Sequence, residues 1–310
     1  MKTLFDNKAL TSRAICLFAI LFLWEVASGQ SQVVKPDGAP KVDAKTKTAI
    51  IDSVAIALHE IYVFPAVAKN MEKLMRSNLH QGKYDRISNL PEFTEEITKD
   101  LQSVSHDKHL GVRPLPPREP GEKGKPSPEE ERKQREQELQ QQNFGFKKVE
   151  LLPGNIGYID FRFFADAGFG GAGVTAIAAM NFLAYADAII FDLRQNGGGN
   201  PSMIQLINSY LFEEPVHLNS FYIRKSNATQ QFWTQAHVQG RKMVKTPVYV
   251  LTSNFTFSGA EEFTYNLKNL KRGTIIGETT GGGAHPVEGR IFENLNVAMS
   301  VPFGRAVNPI

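Results

Sequence analysis

The second half of the chain alternates short apolar runs with helix-like segments, and this alternation limits the possible folds more than any other feature. Segments of helical pattern follow the first and the third apolar run, at 174–185 and 259–270. Continuous apolar runs are typical of strands that are buried on both faces and joined by helical crossovers into a parallel sheet. The sequence therefore predicts an α/β domain. Its apolar runs are residues 156–161, 188–193, 247–252 and 274–277.

The chain ahead of this α/β domain changes composition several times and is divided accordingly. Ile50, Ile51, Val54 and Leu58 recur at helical spacing, and Pro91 stands where a further helix would begin. A proline-rich stretch then passes into a charged, glutamine-rich one, which indicates a solvated loop or an exposed helix. The predicted divisions are a signal peptide at 1–29, a polar tether at 30–45, a small helical bundle at 46–112, a charged linker at 113–145 and the α/β domain at 146–310.

The N-terminus has the pattern of a secretory signal peptide. Lys2, Lys8 and Arg13 precede an apolar run at 14–23, and small residues follow at the expected cleavage position. We therefore expect export to the periplasm or the extracellular space, with an uncleaved membrane anchor as the alternative. Cys16, the one cysteine of the chain, lies inside the apolar run. Cleavage would leave no thiol for a disulfide, a nucleophile or a metal site.

The overall charge argues against a nucleic-acid partner. The 310 residues carry a formal net charge of +3, and 42% of them are hydrophobic. This hydrophobic content is ordinary for a globular protein with a sizeable core. A charge so close to neutral does not create the field that attracts nucleic acid or an anionic membrane surface.

Two loops carry residues that are suited to hydrolytic chemistry. Residues 192–200 (DLRQNGGGN) follow a predicted strand, and their glycines allow backbone N–H groups to approach a developing oxyanion. A tight turn without chemistry is the alternative. Ser258 opens a predicted helix, where the helix dipole favours negative charge and the N–H of Gly259 could bind an oxyanion. With Glu261 three residues on, the same serine also fits a plain N-terminal capping box.

Histidines at the end of the helical bundle are candidate general bases. His106 and His109 stand in the run SHDKHLGV at 105–112, and either could accept a proton from Ser258. A metal site is a weaker interpretation, because no HExxH motif or third ligand cluster accompanies the pair. A structural or solvated role is the further alternative. We predict no metal and no cofactor.

The ordered set of motifs resembles the family of tail-specific (C-terminal processing) proteases, tricorn-type proteases and interphotoreceptor retinoid-binding protein modules. The resemblance runs from about Thr46 to the end of the sequence and implies a Clp-protease/crotonase-like spiral of ββα units behind a helical bundle. It also implies that Ser258 is the nucleophile, rather than a cap. Besides the bundle, the segments that carry it are 192–199, 252–263, 277–283 (GETTGGG) and 302–309 (PFGRAVNP).

The resemblance implies further roles at the site. Gly259 together with Gly197 or Gly198 would form the oxyanion hole. In the lysine-dependent branch of the family a lysine base stands where this chain has Gly283, so a Ser–Lys dyad is not expected. The retinoid-binding-like and tricorn-like branches use a histidine, which corresponds to His109 rather than His106.

Two elements of the family are expected to be missing. The acidic residue that orients the histidine follows an Asn-Pro-Ile segment in the family, whereas this sequence ends at Ile310. We therefore expect a truncated chain without that acid partner. The charged linker is too short for a PDZ module, so recognition of a substrate C-terminus by such a module is not expected. His285 is expected to have a structural role or to lie at the rim of the site.

The sequence thus predicts an exported serine endopeptidase that acts on a peptide or protein substrate through Ser258 and His109. The alternative is a non-catalytic binding module, in which the same cleft holds an apolar ligand such as a retinoid or a fatty acid.

Overall fold

The structure of the protein is a computed structural model that describes residues 40–116, 127–283 and 285–309. The predicted signal peptide and most of the predicted tether lie outside the described residues. Seven α-helices and eleven β-strands are present within these three ranges. None of the helices found there is long and apolar enough to cross a membrane.

Three helices form an N-terminal layer, and local sequence signals start each of them. Asp43 caps the first by accepting the N–H of Thr46, and Asn89 caps the third by accepting that of Glu92. A proline occupies the first turn of the second, where its missing N–H costs nothing. The three are α1 (Ala44–Ile61), α2 (Pro65–His80) and α3 (Leu90–Ser105).

The helical layer completes its core with strands from the opposite end of the chain. Strand β1 (Gly111–Pro114) follows α3 and pairs with β10 (Val297–Pro302), which also pairs with β9 (Val287–Phe292). Both pairings of this three-stranded sheet are antiparallel, and β10 is its central strand. Apolar residues of β10 belong to the same buried cluster as those of the helices. The loop between α3 and β1 is therefore held against the C-terminal half of the chain.

A five-stranded sheet forms the centre of the α/β domain. Its strands are β2 (Phe146–Leu152), β3 (Ile156–Phe161), β4 (Ala188–Asp192), β7 (Val248–Thr252) and β8 (Thr274–Gly277). They are arranged in the order β2–β3–β4–β7–β8, with β2 antiparallel at one edge and the other four parallel. The predicted α/β class is confirmed. The helices that follow its strands are α5 (Ala172–Phe182), α6 (Pro201–Ser209) and α7 (Gly259–Asn269).

The remaining elements are a third sheet, which the sequence patterns do not predict, and an exposed helix in the charged linker, one of the two forms expected there. A hairpin of β5 (His217–Ile223) and β6 (Ala228–Trp233) pairs with β11 (Gly304–Val307) in a third sheet. Helix α4 (Pro128–Gln141) lies in the predicted charged linker and is exposed along its length, with Leu139 as its one buried residue.

One ionisable side chain of α7 lies inside the core. Glu262 is 7% exposed, and burial raises its pKa to about 8, while a hydrogen bond with Asn219 of β5 acts in the opposite direction. Its Oε1 has no hydrogen-bond partner among the described residues. Two further buried atoms without a hydrogen-bond partner among the described residues are Oδ1 of Asn208 on α6 and Nδ2 of Asn266 on α7. The protonated form of Glu262 is therefore the form that this interior tolerates.

Replacement of Glu262 by glutamine should remove a pH-dependent loss of stability. The folded-state pKa of about 8 lies above the ordinary value of 4.5, so the folded chain retains a proton that the unfolded chain has lost. The contribution of Glu262 to the free energy of unfolding is fully present below the unfolded-state pKa. It decreases as the pH rises to the folded-state pKa, by on the order of a few kcal/mol. Urea unfolding at about pH 5 and about pH 8 measures this decrease. It should disappear in Glu262→Gln and persist in Glu214→Gln, an exposed control; an unchanged decrease in Glu262→Gln would contradict the assignment.

Candidate active site

Ser258 lies in a strained turn between β7 and α7. Its backbone has φ 55° and ψ −122°, outside the regions that non-glycine residues normally adopt. Such strain costs about 1–3 kcal/mol and persists only where the surroundings enforce it. A sharp turn between a strand and a helix is also how α/β hydrolases expose a nucleophilic serine.

The hydroxyl of Ser258 does not cap α7. Ser258 and Glu261 stand in a capping-box arrangement, but the hydroxyl itself makes no cap hydrogen bond, and the N–H of Glu261 donates to the carbonyl oxygen of Ser258 at 2.9 Å. The carboxylate of Glu261 in turn accepts the N–H of Ser258 at 3.0 Å. Because the helix start is satisfied by these two bonds, the hydroxyl remains available for chemistry.

The carboxylate of Glu261 also anchors the glycine-rich loop that follows β8. It accepts the hydroxyl of Thr280 at 2.6 Å and the N–H groups of Gly282 and Gly283 at 2.8 and 2.7 Å. One side chain therefore connects this loop to the turn that carries Ser258.

The glycine-rich turn after β4 packs against Ser258 without room for a side chain. A Cβ on Gly198 would lie 2.7 Å from both the Cβ of Ser258 and the backbone nitrogen of Gly259. Gly198 also has φ +105°, which favours glycine. Glycine at this position is what keeps the N–H of Gly259 uncovered.

Of the three predicted oxyanion donors, Gly259 and Gly197 have a free N–H, and Gly198 does not. The N–H of Gly198 donates to Oδ1 of the fully buried Asn196 at 2.8 Å. Of the two glycines predicted as alternatives beside Gly259, Gly197 is therefore the one with an available N–H, whereas Gly198 supplies space and uses its N–H to hold the turn. Among the described residues, no hydrogen bond engages the N–H of Gly259 or of Gly197, and Gly197 faces open space.

Asn196 is a supporting residue that the sequence patterns do not single out. Besides holding Gly198, its side chain donates to the carbonyl oxygen of Phe161 at 2.9 Å, and its own carbonyl oxygen accepts the N–H of Phe257 at 3.1 Å. It therefore connects the glycine-rich turn both to β3 and to the residue before Ser258. An asparagine ahead of a glycine triplet is the only sequence signal, and it is common in ordinary turns.

His109 lies beside the nucleophile turn. Its ring centroid is 4.5 Å from that of Phe257, and its side chain is 7% exposed. Neither ring nitrogen makes a hydrogen bond among the described residues, so the ring is not bonded to Ser258 in this structure. Catalytic hydrogen bonds are often long without substrate and shorten in the complex, so this geometry is compatible with a general base.

The carboxylate nearest to His109 belongs to Asp107. Its Oδ1 lies 3.5 Å from Nδ1 of His109, at the outer limit of a hydrogen bond. Burial acts to raise the pKa of Asp107, but interactions with His109 outweigh it and hold that pKa below its ordinary value. The sequence predicts no acidic partner for His109 within this chain, so Asp107 is a neighbour that the sequence patterns miss.

The position of Gly283 explains why a lysine base would not fit here. A Cβ on Gly283 would lie 2.6 Å from the ring of Phe257 and 3.0 Å from Cε1 of His109. The two rings therefore occupy the space through which a lysine side chain would have to pass. Lys108 stands nearby, but its Nζ donates to the carbonyl oxygen of Gly281 at 2.6 Å and secures the loop instead.

Among the described residues, no hydrogen bond joins either of the other two histidines of interest to Ser258. His106 ends α3 in the left-handed conformation with φ 54° and is exposed. The ring of His285 lies 5.6 Å from that of Phe64, and burial lowers its pKa while the charge of Asp107 opposes this. Within the described ranges, no group of three or more His, Cys, Asp or Glu residues is arranged to hold a metal ion.

A strained serine at the start of a helix, a free backbone N–H next to it and a nearby histidine are elements that α/β serine hydrolases also combine. The profile of peptidase family S41 matches residues 155–309, and a profile described as the N-terminal domain of Peptidase_S41 in eukaryotic IRBP matches residues 43–153. The chain therefore belongs to peptidase family S41, a family of serine peptidases. The predicted family is confirmed.

Solved structures of the same fold include proteins from two bacteria. A protein from Parabacteroides merdae, named as a candidate peptidase, superposes with a TM-score of 0.56 at 18% identity, over 86% of this chain and 85% of that one. A lipoprotein from Streptococcus agalactiae gives a TM-score of 0.51 at 15% identity, over 88% of each chain. At these identities the similarity shows the fold alone. It confirms the predicted Clp-protease/crotonase-like domain preceded by a helical one.

Replacement of Gly283 by alanine should destabilise the protein because the new Cβ would collide with two rings. Overpacking of this kind costs about 1–3 kcal/mol. Gly111→Ala is the matched control: its nearest contact would be an ordinary 3.9 Å, to Thr98, and it should cost nothing measurable. Urea unfolding of the two variants measures the difference, and equal midpoints would contradict the packing described for Gly283.

Proposed function

We propose that this chain is an exported serine endopeptidase in which Ser258 is the nucleophile and His109 is the general base. The observation that carries the proposal is the uncapped hydroxyl of Ser258, held in a strained turn directly before the free N–H of Gly259. A serine used only for capping would adopt extended backbone geometry and bond its hydroxyl to the helix.

The proposed reaction is acyl transfer in two stages. The hydroxyl oxygen of Ser258 attacks the scissile carbonyl carbon while His109 accepts the hydroxyl proton. The N–H groups of Gly259 and Gly197 bind the oxyanion of the tetrahedral intermediate. His109 then gives the proton to the departing amine, and a water molecule hydrolyses the acyl-enzyme by the same steps.

A histidine base is supported by the packing around Gly283. The ring of His109 reaches the site from the helical layer, and it lies where a lysine at 283 would need space. Membership of family S41 supports a peptide or protein substrate.

A fluorophosphonate probe tests the nucleophile. The probe should label the wild-type chain, should not label Ser258→Ala, and should label the control Ser77→Ala at the wild-type rate. Labelling is read by intact mass. Unchanged labelling of Ser258→Ala would overturn the assignment.

The same probe tests the base. His109→Ala should be labelled about 100-fold to 10,000-fold more slowly, because a positioned base contributes that much to proton transfer. His106→Asn is the matched control, since it removes an exposed imidazole three residues away and asparagine accepts the left-handed conformation. The alternative function, an apolar-ligand module, would be favoured by saturable retinol binding in a protein that the probe does not label.

The sequence at 1–29 supports the proposed export. Expression of the full chain in a bacterial host should give a periplasmic protein that begins after the small residues at 27–29. N-terminal sequencing of the periplasmic fraction measures this. A protein that starts at Met1 and stays with the membrane would instead indicate an uncleaved anchor.

A further inference from the structure

We infer that Asp107 is the carboxylate that orients His109, so that this chain contains its own Ser258–His109–Asp107 arrangement. The inference rests on the proposed function of Ser258 and His109. Its basis is the placement of Oδ1 of Asp107, 3.5 Å from Nδ1 of His109, in a site where both side chains are more than nine-tenths buried. Asp107 is thus a positioning residue, which acts on the reaction through His109.

The hydrogen bonding of Asp107 leaves part of its carboxylate unsatisfied. Oδ1 accepts the backbone N–H of His109 at 3.0 Å, while Oδ2 is buried and has no partner among the described residues. A buried carboxylate without enough donors is costly. Nδ1 of His109 is also buried and unpartnered, so a small rotation of the ring would satisfy both groups.

The loop that carries the pair is fixed in place. The N–H of Asp107 donates to the hydroxyl of Ser105 at 3.1 Å, and its carbonyl oxygen accepts the N–H of Leu110 at 3.2 Å. Lys108 bonds the loop to Gly281 in the C-terminal half. The carboxylate and the imidazole therefore meet on a short, anchored segment, which is what precise positioning requires.

The other carboxylates near Ser258 are engaged elsewhere. Glu261 accepts hydrogen bonds from Ser258, Thr280, Gly282 and Gly283. Glu278 is exposed and accepts the N–H of Asn254. Among the described residues, Asp107 is the carboxylate that contacts His109.

The pairing determines which nitrogen of His109 carries the proton. A carboxylate at Nδ1 favours the tautomer with the proton on Nδ1, which leaves Nε2 free to accept the proton of Ser258. Without the carboxylate, the opposite tautomer would place a proton on the nitrogen that must act as base.

Asp107→Asn separates this role from a structural one. The aspartate also forms a local turn through its bond to the N–H of His109, and the carbonyl oxygen of asparagine can make the same bond. The amide nitrogen then takes the place of Oδ2, the unpartnered oxygen that the rotated ring would meet, and it donates rather than accepts, so it favours the wrong tautomer. Asp107→Ser, whose hydroxyl can support the same turn, is the second variant if Asp107→Asn does not fold.

The experiment compares these variants with Asp100→Asn as the control. Asp100 is an equally buried carboxylate on α3 that bonds Lys83 and Tyr84 and takes no part in the site. Imidazole ¹⁵N NMR of the full chain, with His109 assigned by its own variant, reports the tautomer, and fluorophosphonate labelling reports the reactivity of Ser258. We expect the Nδ1–H tautomer in wild type, its loss in Asp107→Asn, and labelling at least about 100-fold slower. Asp100→Asn should retain both wild-type values.

The remaining outcomes contradict either the inference about Asp107 or the proposed function, and the two failures can be told apart. A His109 tautomer that Asp107→Asn leaves unchanged overturns the inference, and so does a change confined to His285. A lost tautomer with an unchanged labelling rate also overturns it. If the wild type itself is not labelled, the proposed function fails, while the tautomer still shows whether Asp107 orients His109.

Discussion

The pairing of β1 with β10 is the interaction on which the rest of the site depends. It joins a strand at Gly111–Pro114 to one at Val297–Pro302, and the buried residues of β10 complete the core of the helical layer. The loop at 105–110 lies immediately before β1, so this pairing also sets where His109 stands. The site combines the loop that carries His109 with the turn that carries Ser258. It can form only once these distant parts of the chain have paired. The helical layer and the α/β domain are therefore joined by β1 and β10, the same strands that complete the core of the helical layer.

Backbone geometry, rather than side-chain identity, makes Ser258 suitable as a nucleophile. The strain at φ 55° is enforced by two hydrogen bonds with Glu261, one accepted by its carboxylate and one donated by its N–H, and by the close packing of Gly198. These contacts satisfy the start of α7 without using the hydroxyl. The stability given up in this turn is consistent with a functional site, where such strain concentrates.

Absent side chains shape the site as much as present ones. Gly198 leaves the N–H of Gly259 uncovered, and Gly283 leaves room for the rings of His109 and Phe257. Glycine at position 283 and a histidine that reaches the site from the helical layer therefore depend on each other, because the ring of His109 occupies the space that a side chain at 283 would need. Asp107 belongs to the same arrangement, because the loop that carries His109 also places a carboxylate near Nδ1 of that histidine.

The sequence by itself determined the α/β class, the positions of the main parallel strands, and the serine at the start of α7. Apolar runs and helix-start signals are local, so these features can be read from neighbouring residues. The family, and with it the preference for His109 over His106, followed from the order of several motifs. Only the tertiary structure decided that the hydroxyl of Ser258 is uncapped, that the N–H of Gly198 is taken by Asn196, and that Asp107 faces His109. Each of these depends on backbone angles and side-chain orientations within a loop. They are fixed only when that loop packs against other elements, so residue identity alone does not specify them.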